Sequence, residues 1–369
     1  MLGFLTRLRS LSSVARFYNT PVPSEAHLQF QIQDVLNGRY KILQCLGRGQ
    51  EATVWLAQDA TAPRENVAIK VLTDHVTSLQ NVHAFELRVM ERISHLPPTH
   101  PGVPHLLSLH DHFTSHGPQG SEHLCIVNDA LGPSILELQS SVEGHRLSST
   151  VVKHVTRQLL RALQALHDCN TVHNRFPDIK MDNILFRIPE DCFDTEHVLK
   201  GENAVPIDYG TAMPLESQSD RLIQPEALLS PEVLLGCPWN TKADIWNLSC
   251  IVFELLTGQR LFVPRPIGSY SAEQYHSARI FDILVDNHEI ERSASYFSHG
   301  LHYTTFFNER HGLRLSIGSD HRESLQRILE IYNVYDAALL ELPTAMLQVH
   351  PDDRPTAAQS EATSWFDYQ

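Results

Sequence analysis

The stretch TKADIWNLSCIVFELLTG (residues 241–258) limits the fold more than any other. It is apolar almost all round, and a helix without a polar face has to be enclosed by other protein on every side. Gly258 stops it, because a glycine just past the last turn accepts the left-handed backbone that closes a helix. Upstream, SSTVVKHVTRQLLRALQALHDCN opens on a Ser/Thr cap and repeats apolar residues at Val152, Val155, Leu159, Leu163 and Leu166, one buried helical face. The C-terminal part of the chain is therefore a helical body built round a central helix.

Before Gly132 the pattern is different. YKILQCLGRGQEATVWLAQD and NVAIKVL, from Tyr40 to about Leu72, alternate β-branched and aromatic residues around a Gly-rich corner and predict strands. NVHAFELRVMERISHL places Val82, Phe85, Val89 and Ile93 on one helical face. Short strands are expected around Leu106-Leu107 and in HLCIVND, followed by a connector from Asn128 to Ser134. The expected fold class is α+β and bilobal: a tail over residues 1–39, then one domain over 40–369. Its small β-rich lobe covers about 40–130 and its larger helical lobe about 131–369.

A hydrophobic fraction of 42% and a charged fraction of 20% describe a globular chain. The net charge of −14 argues against a nucleic-acid surface and suits basic protein partners. No apolar run reaches the length of a membrane span. Cys45, Cys125, Cys169, Cys192, Cys237 and Cys250 lie far apart, mostly inside apolar runs, and read as reduced core residues of an intracellular protein. The N-terminal MLGFLTRLRSLSSVARFYN is basic, hydroxyl-rich and free of acids, with leucines at helical spacing. It reads either as a mitochondrial presequence or as a tail ahead of the first strand.

Several short motifs carry chemistry. In LGRGQEATVWLA, Gly47 and Gly49 leave the backbone open where a Cβ would keep phosphates from the N–H groups, and Val54 follows at nucleotide-covering spacing. Lys70 sits in an apolar strand, where an ammonium needs a partner, and Glu86 on the next helix offers one. DIKMDN supplies a carboxylate (Asp178), a cation (Lys180) and an amide (Asn183); VPIDYG adds Asp208 at a strand end. Phosphoryl transfer uses these groups: a base for the attacking hydroxyl, a charge against the phosphoryl and oxygen ligands for Mg²⁺. Glu232 in SPEVLLG and Arg354 in DDRPTA border apolar segments, and a buried pair between them would brace the large lobe. The histidines of HLLSLHDHFTSH (His105, His110, His112, His116) lack ligand spacing and read as surface and turn residues. Glu190, Asp191, Asp194 and Glu196 form an acidic stretch read as a solvated loop.

In this order the motifs resemble those of the eukaryotic protein kinases, from about Tyr40 to Trp365. GQEATVWLAQD, ALGPSILEL, PEVLLGCPWNTKADIWNLSCIVFELLTGQRLF and YSAEQYHSARIFDIL are most similar to SR-protein kinases and their fungal relatives. The resemblance implies a bilobal serine/threonine kinase using ATP and Mg²⁺. Leu46, Gly47, Arg48, Gly49, Gln50, Glu51, Ala52, Thr53, Val54, Ala68, Asp129 and Leu131 would bind ATP. Lys70 would hold its α- and β-phosphates and pair with Glu86. Asp178 would be the base with Lys180 beside it, Asn183 and Asp208 the metal ligands, and Glu232, Asp244 and Arg354 structural. It further implies Arg/Ser-rich protein substrates, a monomer, no direct contact with nucleic acid or membrane, and a place in the cytoplasm or nucleus, with the mitochondrion as alternative.

The chain departs from that pattern at Ala52, where the family has a third glycine, and at Leu229, where many relatives carry arginine. The largest departure lies between His173 and Asp178, which Asn174, Arg175, Phe176 and Pro177 separate in place of the family's single residue. A loop absorbs such an insertion at modest entropic cost, but misplacing the base by about 1 Å would cost a hundredfold in rate. A catalytically impaired scaffold is therefore the alternative to a working kinase. Pro177 also stands where regulated kinases place the arginine that receives an activation-loop phosphate. The expectation is that this loop, with Ser217 and Ser219, needs no phosphorylation.

Overall fold

A computed structural model describes residues 27–62, 66–173, 181–187, 198, 204–206, 209, 212–217, 224, 226–286, 289–317, 324–334 and 337–367. The N-terminal lobe is an antiparallel sheet of β1 (Val35–Leu36), β2 (Tyr40–Arg48), β3 (Ala52–Asp59), β4 (Asn66–Leu72), β5 (Leu109–His116) and β6 (Glu122–Asp129), in the order β1-β2-β3-β4-β6-β5. Its outer face is closed by Tyr40, Ile42, Trp55, Ile69, Cys125 and Val127, with Phe30 packed edge-on against Trp55. Between β4 and β5 lie α1 (Asp74–Ser78), capped by Thr73, and α2 (Glu86–Ser94).

Two expectations shift here. The helix predicted from Asn81 starts only at Glu86: Asn81 takes a left-handed φ of 65° and Gln80 bridges Ala84, so Val82 sits in a turn, 63% exposed, while Phe85, Val89 and Ile93 are buried. The strand expected at Leu106-Leu107 is instead a 3-10 turn, Val103–His105, running into two buried leucines, and β5 begins at Leu109. Gly102 explains this segment, because a Cβ there would stand 2.2 Å from the carbonyl oxygen of Arg161 on the long helix beneath it. His105, read as a surface histidine, is buried in that turn.

The C-terminal lobe is helical. α3 (Ile135–Ser140) opens on a capping box of Ser134 and Glu137, and α4 (Ser149–Asp168) on Ser148. Val152, Val155, Leu159, Leu163 and Leu166 of α4 are all buried, as their spacing requires. Short strands follow: β7 (Thr171–Val172), β8 (Ile184–Phe186), β9 (Ala204–Pro206) and β10 (Met213–Pro214), paired as β7–β10 and β8–β9. α5 (Pro231–Leu234) precedes α6 (Lys242–Thr257), the central helix, whose Trp246, Ile245 and Leu255 have no exposed surface. Gly258 closes it at a φ of 71°. α7 (Ala272–Leu284) and shorter helices through α8 (Ile290–Tyr296), α9 (Tyr303–Phe306), α10 (Leu325–Ile331), α11 (Ala337–Met346) and α12 (Ala357–Glu361) complete the body. Among the described cysteines all are free; Cys45 is exposed on β2, unlike the core position read for it, because it faces outward beside the bulge before Gly47. No helix among the described residues is long and apolar enough to cross a membrane.

Candidate active site

The glycine-rich corner is the β2–β3 hairpin. Gly47 pairs with Val54 and Arg48 with Thr53, and the Gly49 N–H donates to the Ala52 carbonyl at 2.9 Å to close the tip. Among the described residues, none beyond its own chain neighbours comes within 4 Å of where a Cβ on Gly47 would stand, so their packing does not demand glycine there. What glycine leaves is bare backbone at the tip, the feature a phosphate needs. Leu46 and Val54 are half-buried, Arg48, Gln50 and Glu51 exposed, and Ala52 buried. The Thr53 hydroxyl turns to the opposite face and accepts from the Trp55 indole at 3.1 Å.

Lys70 stands opposite Val54 in the β3–β4 register, so both share a face with Ala68. From that face its Nζ donates to Glu86 Oε1 at 2.7 Å, joining the sheet to α2. Glu86 is 2% exposed, so an unpaired carboxylate there would be costly. The pair expected from sequence is thus in place.

Asp129 ends β6, next to Leu131 in the connector. Its carboxylate accepts from His110 Nε2 and Arg187 Nη1, each at 2.7 Å, and from the Ser108 N–H at 3.1 Å. Burial opposes its ionisation, yet these partners outweigh burial and hold the carboxyl below the usual range. Its side chain is therefore engaged, and any contact with a nucleotide would come from its backbone. Arg187, which the sequence reading missed, also donates to the carbonyls of Leu106 (2.7 Å) and Pro104 (3.4 Å) and so ties β8 to the small lobe. Nothing local marks it beyond its place after the apolar β8.

Below the cleft, Asp244 of α6 accepts from the His173 N–H at 3.1 Å and from His167 Nε2 at 2.9 Å, both at Oδ2. The His173 ring packs edge-on against Tyr209, 5.6 Å between centroids, and the Tyr209 hydroxyl accepts from the Leu107 N–H at 3.3 Å. Burial raises the Tyr209 pKa, keeping it a neutral phenol. Asn183 closes the 3-10 turn Met181–Asn183 and leads into Ile184, which pairs with Pro206. Asp178, Lys180, Asp208 and the residues inserted after His173 lie outside the described residues, as do Glu190, Asp191, Asp194 and Glu196. In the large lobe Arg354 reaches both oxygens of Glu232 at 2.7 and 2.8 Å, and donates to the carbonyls of Gln348, Val349 and Lys242.

A second network was also missed. Arg88 and Arg92 of α2 both donate to Glu216 Oε1, just past β10, Arg88 at 3.1 Å. The hydrogen bond from Arg92 in particular lowers the Glu216 pKa. Arg92 Nη1 also donates to the Cys169 carbonyl at 3.4 Å, and the Leu215 N–H to that of Asn170 at 2.9 Å.

A paired lysine and glutamate, a glycine hairpin and a buried histidine–tyrosine stack stand in the order and places of one known architecture, and residues 40–366 match the protein kinase domain. The chain belongs to the protein kinase family. Protein kinase dsk1 of Schizosaccharomyces pombe is 28% identical over 394 residues, covering 75% of this chain and 70% of that protein. Serine/threonine-protein kinase SRPK of Physarum polycephalum is 27% identical over 379 residues, covering 89% and 86%. Human dual specificity protein kinase CLK2 is 28% identical over 247 residues, covering 65% of this chain and 47% of that protein. The kinase described here is a serine/threonine protein kinase close to the SR-protein kinases. Its domain is one that uses ATP and Mg²⁺ and acts on proteins. The scaffold alternative finds no support in these relatives, each named as a kinase.

Proposed function

We propose that this kinase transfers the γ-phosphoryl group of ATP to serines in Arg/Ser-rich protein segments, in the crevice between its lobes. The observation that carries this reading is the closed Lys70–Glu86 pair on the face shared with Val54 and Ala68. Residues Leu46 to Val54 cover the phosphates, Ala68 and Leu131 flank the base, and Lys70 holds the α- and β-phosphates. Asp178 orients the substrate hydroxyl and takes its proton. The hydroxyl oxygen bonds to the γ-phosphorus as the bond to the bridging oxygen breaks, and ADP leaves with that electron pair. Lys180 counters charge on the transferring group. Asn183 and Asp208 would hold Mg²⁺, which would supply neutralisation of the phosphate charge when bound. The roles of Asp178, Lys180 and Asp208 rest on the sequence motifs.

The acidic balance of −14 suits basic substrates. We take residues 40–369 as the kinase domain, acting as a monomer in the cytoplasm or nucleus; the presequence reading of residues 1–20 has no support in the relatives compared. Activation-loop phosphorylation is not needed, because Glu216 already supplies a carboxylate to two arginines of α2. Radiolabelled phosphate transfer tests the whole reading. Wild type is expected to label an Arg-Ser peptide faster than a generic basic peptide, and Asp178→Ala neither; equal labelling by both proteins would overturn it.

A further inference from the structure

Residues 27–33 lie as a strap across the outer face of the small-lobe sheet, where Leu28 and Phe30 pack against the cluster that holds Tyr40, Trp55 and Val127. Leu28 reaches the β5–β6 turn: a Cβ on Gly117 would stand 3.1 Å from its Cδ1. Phe30 meets Trp55 of β3 edge-on, 5.8 Å between ring centroids. Beyond it the Gln33 N–H donates to the Ile42 carbonyl and the Ile42 N–H to the Asp34 carbonyl, each at 2.8 Å, which fixes the strap to β2. His27 begins the strap, 6% exposed, and burial lowers its pKa, with the nearby charge of Arg48 adding to the effect.

Arg48, in the glycine-rich corner, stands opposite Thr53 in the β2–β3 register, and opposed residues share a face. That face is the outer one, since Thr53 bonds the Trp55 indole there, while Val54 and Lys70 share the inner face. From the outer face Arg48 Nη2 donates to Gln29 Oε1 at 3.1 Å. We propose that Gln29 is a positioning residue for phosphoryl transfer: through Arg48 it holds the tip of the β2–β3 hairpin down over the phosphates of the nucleotide. This role rests on the nucleotide site proposed above. Gly47 and Gly49 let the tip bend, and a raised tip takes its N–H groups away from phosphate oxygens. Leu28 and Phe30 give the strap its footing in the apolar cluster, and Gln29 carries that footing to the tip. Such a grip acts on how tightly ATP is held rather than on the transfer step, so it belongs to KM and not to kcat.

The test is steady-state kinetics of the full chain at varied Mg·ATP, with melting temperatures measured alongside. Gln29 is exposed, so Gln29→Ala is expected to keep its melting temperature without nucleotide. Its KM for ATP should rise about threefold while kcat holds. Gln29→Glu keeps the acceptor and adds a charge opposite Arg48, so its KM stays at or below the wild-type value. Arg48→Met should raise KM about as much as Gln29→Ala, and the double variant no further, because both remove one contact. A Gln29→Ala with the wild-type KM overturns the proposal, as does a double variant in which the two effects multiply. A loss of melting temperature with KM unchanged overturns it too, since that is a structural role alone. Absence of any thermal shift of wild type with Mg·ATP would instead bring down the nucleotide site, and this role with it.

Discussion

Lys70–Glu86 and Arg354–Glu232 are both buried ion pairs, but their substitutions should read out differently. Lys70 is 18% exposed in its side chain and opens toward the cleft, so Lys70→Met removes charge from the phosphates. Activity should fall by about a hundredfold or more, measured by phosphate transfer at saturating substrate. Retention of a tenth of wild-type kcat would exclude the phosphate-holding role. Arg354 and Glu232 have at most 1% exposure, and Arg354 also lies 4.9 Å over the Trp246 ring. Glu232→Gln or Arg354→Leu alone leaves a buried partner uncompensated, and each should cost about 3–5 kcal/mol in urea unfolding. The double variant Glu232→Met/Arg354→Leu should recover only part, since the carbonyls of Gln348, Val349 and Lys242 lose their donor. A loss below about 1 kcal/mol in both single variants would show that the brace is not one.

At the level of elements, α2 is held at both ends of its cleft-facing side: Glu86 to the sheet, and Arg88 and Arg92 to Glu216 beyond β10. Exposed ion pairs are each worth a fraction of a kcal/mol, but two arginines share one carboxylate here, and Arg92 also binds the turn before β7. Glu216→Gln should therefore lower kcat a few-fold with little change in KM for ATP, and phosphatase treatment should leave wild-type activity intact. Abolition of activity by phosphatase, or a fully active Glu216→Gln at low ionic strength, would remove this tether. The same helix shows what was legible beforehand. Glu86 could be paired with Lys70 because a lone cation in an apolar strand advertises its need. Val82 misled because helical spacing continues into a turn that Asn81 sets. Arg187 and Glu216 act through contacts across long stretches of chain, which no local period encodes. Asp178, Lys180 and Asp208 remain readings of the sequence, since they fall outside the described residues.

For the molecule as a whole, the histidines decide how stability responds to mild acid. Burial pushes His105 and His276 down to about 4, with nearby Arg161 adding to the effect on His105 and the hydrogen bond to the Leu229 carbonyl opposing it on His276. Burial likewise lowers His27, His154 and His350. A histidine depressed in the folded state binds its proton first in the unfolded chain, whose ordinary value is 6.5. Above that value the shift contributes nothing; as pH falls below it, the unfolded chain gains protons that the native state refuses, and stability drops. The loss is about 1.4 kcal/mol per pH unit for each such histidine, and it levels off near the folded value of about 4. Carboxylates held low, such as Asp129 and Glu216, are shifted in the same direction, but they stabilise the native state at neutral pH and that contribution fades only as pH falls below the ordinary carboxylate range. The window between pH 7.5 and 5.5 therefore isolates the histidines. Urea unfolding should show a stability loss of roughly 3 kcal/mol or more across it for wild type, and about 1 kcal/mol less for His276→Gln, whose amide keeps a donor for Leu229 without a titrating ring. The same pH dependence in both proteins would mean that His276 titrates normally in the fold and that its burial does not set the acid sensitivity.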